Sequence, residues 1–137
     1  AGRLLPWVVS THVKDGGILE SRDGLVTFPA PIGGGVIDLA TIVGMLGALD
    51  PPPSLSVEDH GGSFLLPIHD GAFLARFPDL EGAELAALVG LAESTRAKAD
   101  CRPLDRNDWP AMCEARIAAD VIALRAIAER LSAEEPA

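Results

Sequence analysis

Polar side chains that can bind a metal or move a proton follow two short apolar runs of this sequence. The first run ends in His12, Lys14 and Asp15, and the second ends in Glu58 and His60. An imidazole and a carboxylate at neighbouring strand ends suit a divalent cation of the Mn, Mg or Co kind, with Zn as a further option. A carboxylate there can also act as a general base. We therefore predict a polar site built on His12 and Glu58.

Each of these residues also has a plain structural interpretation. A histidine at a strand end can be a hydrogen-bonded core residue, but Glu58 at the equivalent exit one strand later favours function for His12. His60 either contacts substrate or hydrogen-bonds across the Gly-Gly turn that follows it. Lys14 and Asp15 form either a local ion pair or two substrate contacts, and their location favours the contacts.

Three other patterns carry weaker functional signals. The run Gly33-Gly-Gly35 lacks a P-loop lysine and a GxGxxG register, so a turn is favoured over a phosphate cradle. Cys101 and Cys113 lack CxxC spacing, and we expect thiols rather than a disulfide. His69, beside a proline and an aspartate, is expected in a loop or at a helix cap.

Two short strands must position the site. The β-branched run Trp7–Val13 predicts a buried strand that opens into a loop at residues 14–17, and Ser54–Val57 predicts a second strand. Residues 18–28 hold two apolar runs around Asp23-Gly24, which is typical of a hairpin embedded in the loop.

Helices are predicted between and after the strands. Asp38 caps the first, which carries apolar residues at 39, 42, 43, 46 and 49 and is ended by the prolines at 51–53. Three more are expected at about 70–77, 80–98 and 108–131. This βαβα order requires a parallel sheet. Because two parallel strands are not stable alone, more chain or another subunit must supply their neighbours.

Three motifs occur in the order and spacing of a known enzyme family. They are Ser10-Thr-His-Val-Lys-Asp-Gly16, Pro31-Ile-Gly-Gly-Gly-Val-Ile-Asp-Leu39 and Leu55-Ser-Val-Glu-Asp-His60. Together they resemble the sugar phosphate isomerases/epimerases of the xylose isomerase-like barrel superfamily, over about residues 7–62. In that family a strand ending H-x-K-D is the seventh, a P-x-G-x-G-x-x-D loop leads into its helix, and the eighth strand ends in Glu.

The resemblance implies an α/β fold, the carboxy-terminal part of a (β/α)8 TIM barrel. Residues 1–79 would hold the last two βα units, with a hairpin-containing loop at 16–37. Residues 80–132 would be carboxy-terminal helices that pack on the same barrel, and residues 133–137 a frayed tail.

The resemblance also implies a site at the barrel mouth, where Glu, Asp, His and Glu from the fifth to eighth strands hold a divalent metal. His12 and Glu58 match the last two ligands, and the other two would come from upstream. Glu58 would move a proton next to a carbonyl, with Lys14, Asp15 and His60 as substrate contacts. This sequence has glycine at position 34, where the family loop commonly has Glu.

The expected function is a metal-dependent isomerase or epimerase of a sugar or polyol, phosphorylated or not, to which this chain supplies half of the site. The alternatives are a keto-polyol dehydratase on the same barrel and a non-catalytic subunit or fragment that completes a barrel. The expected partners are the small-molecule substrate and the remainder of the barrel, either as an upstream segment or as a companion chain. Self-association is left open.

Composition disfavours other classes of function. The formal charge is −9 over 137 residues, without the basic surface that nucleic-acid repair or an anionic membrane requires. No apolar run reaches the roughly 20 residues of a membrane span, and the first residues do not form a signal peptide. We expect a soluble, cytoplasmic protein that binds neither nucleic acid nor membrane.

Overall fold

The computed structural model describes residues 4–98 and 101–134. The chain is mixed α/β and begins, within that range, with a short 3-10 turn at Leu5–Trp7. The elements that follow are β1 (Ser10–Val13), β2 (Asp15–Ser21), β3 (Gly24–Ala30), α1 (Leu39–Gly47), β4 (Ser54–Val57), β5 (Phe64–Leu66), α2 (Gly71–Leu74), α3 (Gly82–Ala97) and α4 (Trp109–Glu134).

The predicted parallel pair is confirmed. Strands β1 and β4 pair in register from Ser10 opposite Ser54 to Val13 opposite Val57, with α1 on the connection between them. The Glu58 N–H donates to the Val13 carbonyl at 3.0 Å and extends the pairing by one residue. Within residues 4–98 and 101–134, no third strand joins this sheet.

The prediction that the first strand begins at Trp7 is wrong. Trp7 and Val9 are 81% and 85% exposed, and β1 begins only at Ser10. In the observed register, residues 7–9 would face Pro51–Pro53, which have no N–H to donate to a neighbouring strand. The prolines therefore limit the length of the parallel pair.

The predicted hairpin is confirmed, but the loop expected at residues 14–17 needs correction. Strand β2 follows β1 after the single residue Lys14 and pairs antiparallel with β3 from Asp15 to Ser21. The turn consists of Arg22 and Asp23, and Gly24 after it has φ +137°, where a side chain would overlap the carbonyl of Leu66. Only glycine fits at position 24, directly after the turn.

Strand β5, absent from the sequence-based prediction, completes an antiparallel sheet of order β2-β3-β5. It has only three residues, and Phe64 and Leu65 are both exposed. Since a run this short shows no clear alternation of apolar and polar residues, pattern reasoning cannot detect it.

The predicted helices are present, but α2 covers only Gly71–Leu74 of the residues 70–77 that were expected. Asp38 caps α1 through the Thr41 N–H at 3.1 Å, and Asp70 caps α2 through the Ala72 N–H at 2.8 Å. Helix α1 ends at Gly47, before the prolines, and Leu49 lies outside it. Helix α4 extends through Glu134, into the predicted tail; residues 135–137 lie outside the described part of the chain.

Besides a small cluster of Phe28, Ala30 and Cys101, two apolar clusters hold these elements together. One lies between the parallel strands and the helices α1 and α4; its buried members are Val13, Ile32, Leu39, Val43, Leu124 and Ile127. The other lies between the hairpin and α3, with Ile18, Leu25 and Ala92 buried. The parallel sheet therefore buries one face against helices, while the opposite face, which carries His12 and Ser56, is exposed.

Helix α3 covers the outer edge of the hairpin. Thr95 of α3 is fully buried, and its hydroxyl accepts the Ile18 N–H of β2 at 3.0 Å. A buried N–H without a partner is costly, so this bond satisfies an edge group that no strand in the described part of the chain reaches. No helix in residues 4–98 and 101–134 combines the length and apolar character that crossing a membrane requires.

We predict that Thr95→Val destabilises the protein by about 1–3 kcal/mol, because valine keeps the volume and leaves the buried Ile18 N–H without an acceptor. Urea unfolding measures this loss. The control is Ser94→Ala, an exposed neighbour on the same helix, which should change the free energy of unfolding by less than about 0.5 kcal/mol. Equal effects of the two substitutions would contradict the assigned role of Thr95.

Candidate functional site

The structure brings three of the predicted site residues into direct contact. The Nδ1–H of His12 donates to Glu58 Oε2 at 2.9 Å, and the Lys14 ammonium donates to Glu58 Oε1 at 2.8 Å. Both carboxylate oxygens of Glu58 are therefore engaged by groups from the neighbouring strand. The side chains of all three residues remain open to solvent.

The register of the parallel pair accounts for this convergence. Side chains alternate along a strand, so His12 and Lys14 project from the face opposite to buried Val13. Ser56 lies directly across from His12, and Glu58 follows two residues later on the same face. Glu58 thus lies one step beyond the sheet, level with Lys14 and diagonal to His12.

These contacts stabilise the charged form of Glu58. The hydrogen bond from Lys14 and then that from His12 lower the pKa of the Glu58 carboxyl below its ordinary value, against a smaller opposing effect of desolvation. The carboxylate is therefore ionised at neutral pH and can accept a proton or bind a cation.

Asp15, predicted as a substrate contact, has a different environment. It is 1% exposed, and its carboxylate accepts four backbone N–H groups. Oδ1 accepts from Gly16 and Ile37, at 2.8 and 3.2 Å, and Oδ2 accepts from Gly33 and Gly35, at 3.0 and 2.9 Å. The carboxylate is enclosed by the glycine loop. Asp15 therefore positions that loop, and its carboxylate is not accessible to a substrate.

The same four bonds explain the glycine run. The amides of Gly33 and Gly35, which a phosphate cradle would need, donate to Asp15 instead. A Cβ on Gly35 would overlap the Asp15 carboxylate and the Gly16 carbonyl, so no other residue fits that position. This favours the turn interpretation of the loop.

His60 lies near the trio of His12, Lys14 and Glu58 but makes no hydrogen bond to it. Its Nδ1–H donates to the carbonyl of the adjacent residue Gly61 at 3.1 Å, and its ring meets Phe64 edge-on with centroids 6.2 Å apart. Lys14 and His60 both line one cavity between the hairpin and α3. His60 can therefore reach a ligand in that cavity without leaving its present position.

The sequence-based prediction missed an ion pair directly behind the site. Arg116 of α4 donates through Nε to Asp59 Oδ2 at 2.6 Å, and the Asp59 side chain is only 2% exposed. One turn later, buried Asp120 accepts the Ile32 N–H at 2.8 Å; desolvation raises its pKa. These bonds fix α4 to the exit of β4 and to the glycine loop.

Two residues of the trio are of the types that bind divalent metals. His12 supplies an imidazole and Glu58 a carboxylate, both exposed and adjacent, which are ligands that Mn, Mg, Co and Zn accept. Across residues 4–98 and 101–134, no group of three or more His, Cys, Asp or Glu side chains is arranged to hold a metal. Lys14 competes with a cation for the same carboxylate.

Cys101 and Cys113 are free thiols, and neither is at the site. Cys101 is buried, and desolvation raises the pKa of its thiol, which keeps it protonated and unreactive at neutral pH.

No protein-family model matches the chain, and searches of curated proteins and of solved structures likewise found no match.

We predict that Lys14→Met raises the pKa of Glu58 towards its ordinary value, and by more than His12→Gln does, because the Lys14 bond is the larger cause of the lowering. Carboxyl carbon NMR titration measures this pKa. Because the folded-state value is the lower one, the contribution of these bonds to stability is present above the unfolded-state pKa and is lost as pH falls through the folded-state pKa. Arg22→Gln, which removes an exposed positive charge in the hairpin turn, should leave the titration unchanged.

We predict that Asp15→Asn destabilises the protein by about 3 kcal/mol, because asparagine offers one acceptor oxygen and turns its NH2 group towards N–H donors. Denaturant unfolding measures the loss. Asp23→Asn, in the exposed hairpin turn, is the control and should stay within about 0.5 kcal/mol of the parent protein. A stable Asp15→Asn variant would show that the loop does not depend on this carboxylate.

Proposed function

We propose that this chain is the carboxy-terminal part of a (β/α)8 barrel enzyme that isomerises or epimerises a sugar or polyol with the help of a divalent metal. The observation that carries the proposal is the contact of Glu58 with both His12 and Lys14 at the ends of two adjacent parallel strands. In parallel α/β barrels, residues at the carboxyl ends of strands face the active site.

The two sheet edges support the barrel. Each of β1 and β4 leaves one edge without a strand among residues 4–98 and 101–134, and one face of the pair is exposed and polar. Parallel sheets are almost always covered on both faces, so we expect further parallel strands on both edges. In a closed barrel, the face that carries His12 and Ser56 would be the inner face.

The ionised carboxylate of Glu58 is suited to remove a proton from a carbon next to a carbonyl group. Lys14 and His12 hold this carboxylate in place, and the Lys14 ammonium remains beside it to balance the negative charge that develops on the substrate oxygen. Returning the proton to the former carbonyl carbon, while the hydroxyl proton moves to the former carbonyl oxygen, gives the isomer. Protonation of the same carbon on its opposite face, by an acid that another strand would supply, gives the epimer.

A divalent cation, when bound by His12, Glu58 and ligands from other strands, polarises the carbonyl and hydroxyl oxygens of the substrate. Of the substrate contacts predicted from sequence, Lys14 and His60 keep that role in this proposal. Asp15 acts through the position of the glycine loop.

We predict that Glu58→Gln lowers the rate of exchange between the substrate C–H hydrogen and deuterated solvent by at least about 100-fold, because the amide cannot take the proton. Proton NMR of candidate ketoses and aldoses, incubated in deuterium oxide with the full-length protein and a divalent cation, measures this exchange. His12→Ala should lower both the exchange rate and the affinity for the cation.

Glu20→Gln is the matched control, since Glu20 is an exposed glutamate paired with Arg96 away from the site. It should exchange at the parent rate. Exchange accompanied by release of water would assign the protein to the dehydratases. If Glu58→Gln and the parent protein exchange equally, Glu58 is not the base, and the chain contributes packing only.

A further inference from the structure

A cavity of about 350 Å³ opens beside the proposed active site, between the hairpin and α3. Its floor includes Ile18 and Phe28, which are buried, and Leu88 of α3 contributes to its wall. Ile37, Phe64 and Leu91 form an exposed apolar rim. Cavities of roughly 300–1,000 Å³ with apolar walls and a few convergent polar groups are typical of small-molecule sites.

The cavity adjoins the proposed catalytic groups through Lys14. Lys14 lines it and at the same time donates to Glu58 Oε1 at 2.8 Å, so a single side chain separates the cavity from the carboxylate. His60 lines it from the β4 side. A ligand whose reacting carbon lies against Glu58 would therefore pass the Lys14 side chain to reach this space.

The charges around the cavity are already balanced. Among residues 4–98 and 101–134, Asp15 is the one acidic residue in its lining, and its carboxylate accepts four backbone N–H groups. The Lys14 ammonium is paired with Glu58. The cavity therefore offers apolar contact and no free ionic partner, which disfavours a ligand group that is charged or densely hydroxylated.

We propose that the substrate of this site is a neutral hydroxycarbonyl compound with an apolar substituent, which occupies this cavity while the hydroxycarbonyl head lies against Lys14 and Glu58. The inference rests on the proposed function and narrows its substrate class from sugars in general to amphipathic ones. A cavity of roughly 150 Å³ accepts a benzene ring, so the space here accommodates an aromatic ring or a branched alkyl group.

Binding of hydroxymethyl ketones whose alkyl group grows from methyl to pentyl tests this inference. Titration calorimetry on the full-length protein should give a dissociation constant that falls by up to about fourfold for each added methylene. The dependence arises because each methylene moves from water into contact with the cavity wall.

Phe64→Ser and Leu65→Ser form a matched pair. The two residues are exposed neighbours on β5 that point to opposite faces, and only Phe64 lines the cavity. Phe64→Ser should weaken binding of the pentyl ketone by about tenfold or more and flatten the dependence on chain length. Leu65→Ser should bind like the parent protein, and urea unfolding of both variants checks that they are equally folded.

Binding that does not tighten with chain length, or that both variants weaken equally, would overturn the inference. The result is separable from the proposed function, because isotope exchange at the carbon next to the carbonyl is measured on the same ketones. If the ketones exchange with a KM that is constant along the series, the proposed isomerase function stands and the proposed apolar substituent is refuted. If binding tightens along the series but no exchange occurs, the cavity is an apolar binding site. That outcome refutes both the isomerase function and the substrate class that rests on it.

Discussion

The buried carboxylate of Asp15 is the constraint on which the architecture around the site depends. A charge removed from water is tolerated only when its hydrogen bonds are satisfied, and here four backbone amides supply them. Three of those amides belong to residues 33–37, so the carboxylate fixes the loop that enters α1. Lys14 immediately precedes Asp15 and takes its direction from the same anchored backbone, which places its ammonium on Glu58. Folding of the loop and formation of the trio are therefore coupled through one side chain.

Much of the fold could be predicted from the sequence, because the signals are local. The Asp38 cap, the apolar runs around Asp23-Gly24 and the polar residues that follow each short strand all lie within a few residues of what they specify. The meeting of His12 with Glu58 required one further step, the rule that parallel strands present their carboxyl ends at one edge. The structure agrees with the cap, the hairpin and the meeting of His12 with Glu58, whereas the polar residues after the first strand enter β2 and do not form a loop.

The remaining features depend on contacts between distant parts of the chain. Asp15 is separated from the amides of Gly33 and Gly35 by 18 and 20 positions. Every residue except proline has a backbone amide, so the sequence does not indicate which amides bind this carboxylate. Arg116 lies 57 positions from Asp59, on a helix whose apolar stripe was recognisable but whose buried ion pair was not. Strand β5 exists because β3 offers it an edge, not because three residues prefer a strand. In all three cases, a distant partner determines the structure, and the local sequence does not predict the contact.

The two successive carboxylates Glu58 and Asp59 illustrate how a rigid anchor can orient a reactive group. Side chains alternate in extended backbone, so a side chain fixed on the helical side of β4 directs its predecessor to the open side. The bond between Asp59 and Arg116 provides that fixed point, and the cation of Arg116 balances a buried carboxylate whose other contact is the neutral His60 N–H. Glu58 then needs no buried contacts of its own and stays exposed to solvent. Orientation and exposure are therefore provided by different residues: the buried Asp59–Arg116 pair fixes the direction of the backbone, and Glu58 contacts His12 and Lys14 at the solvent-exposed face.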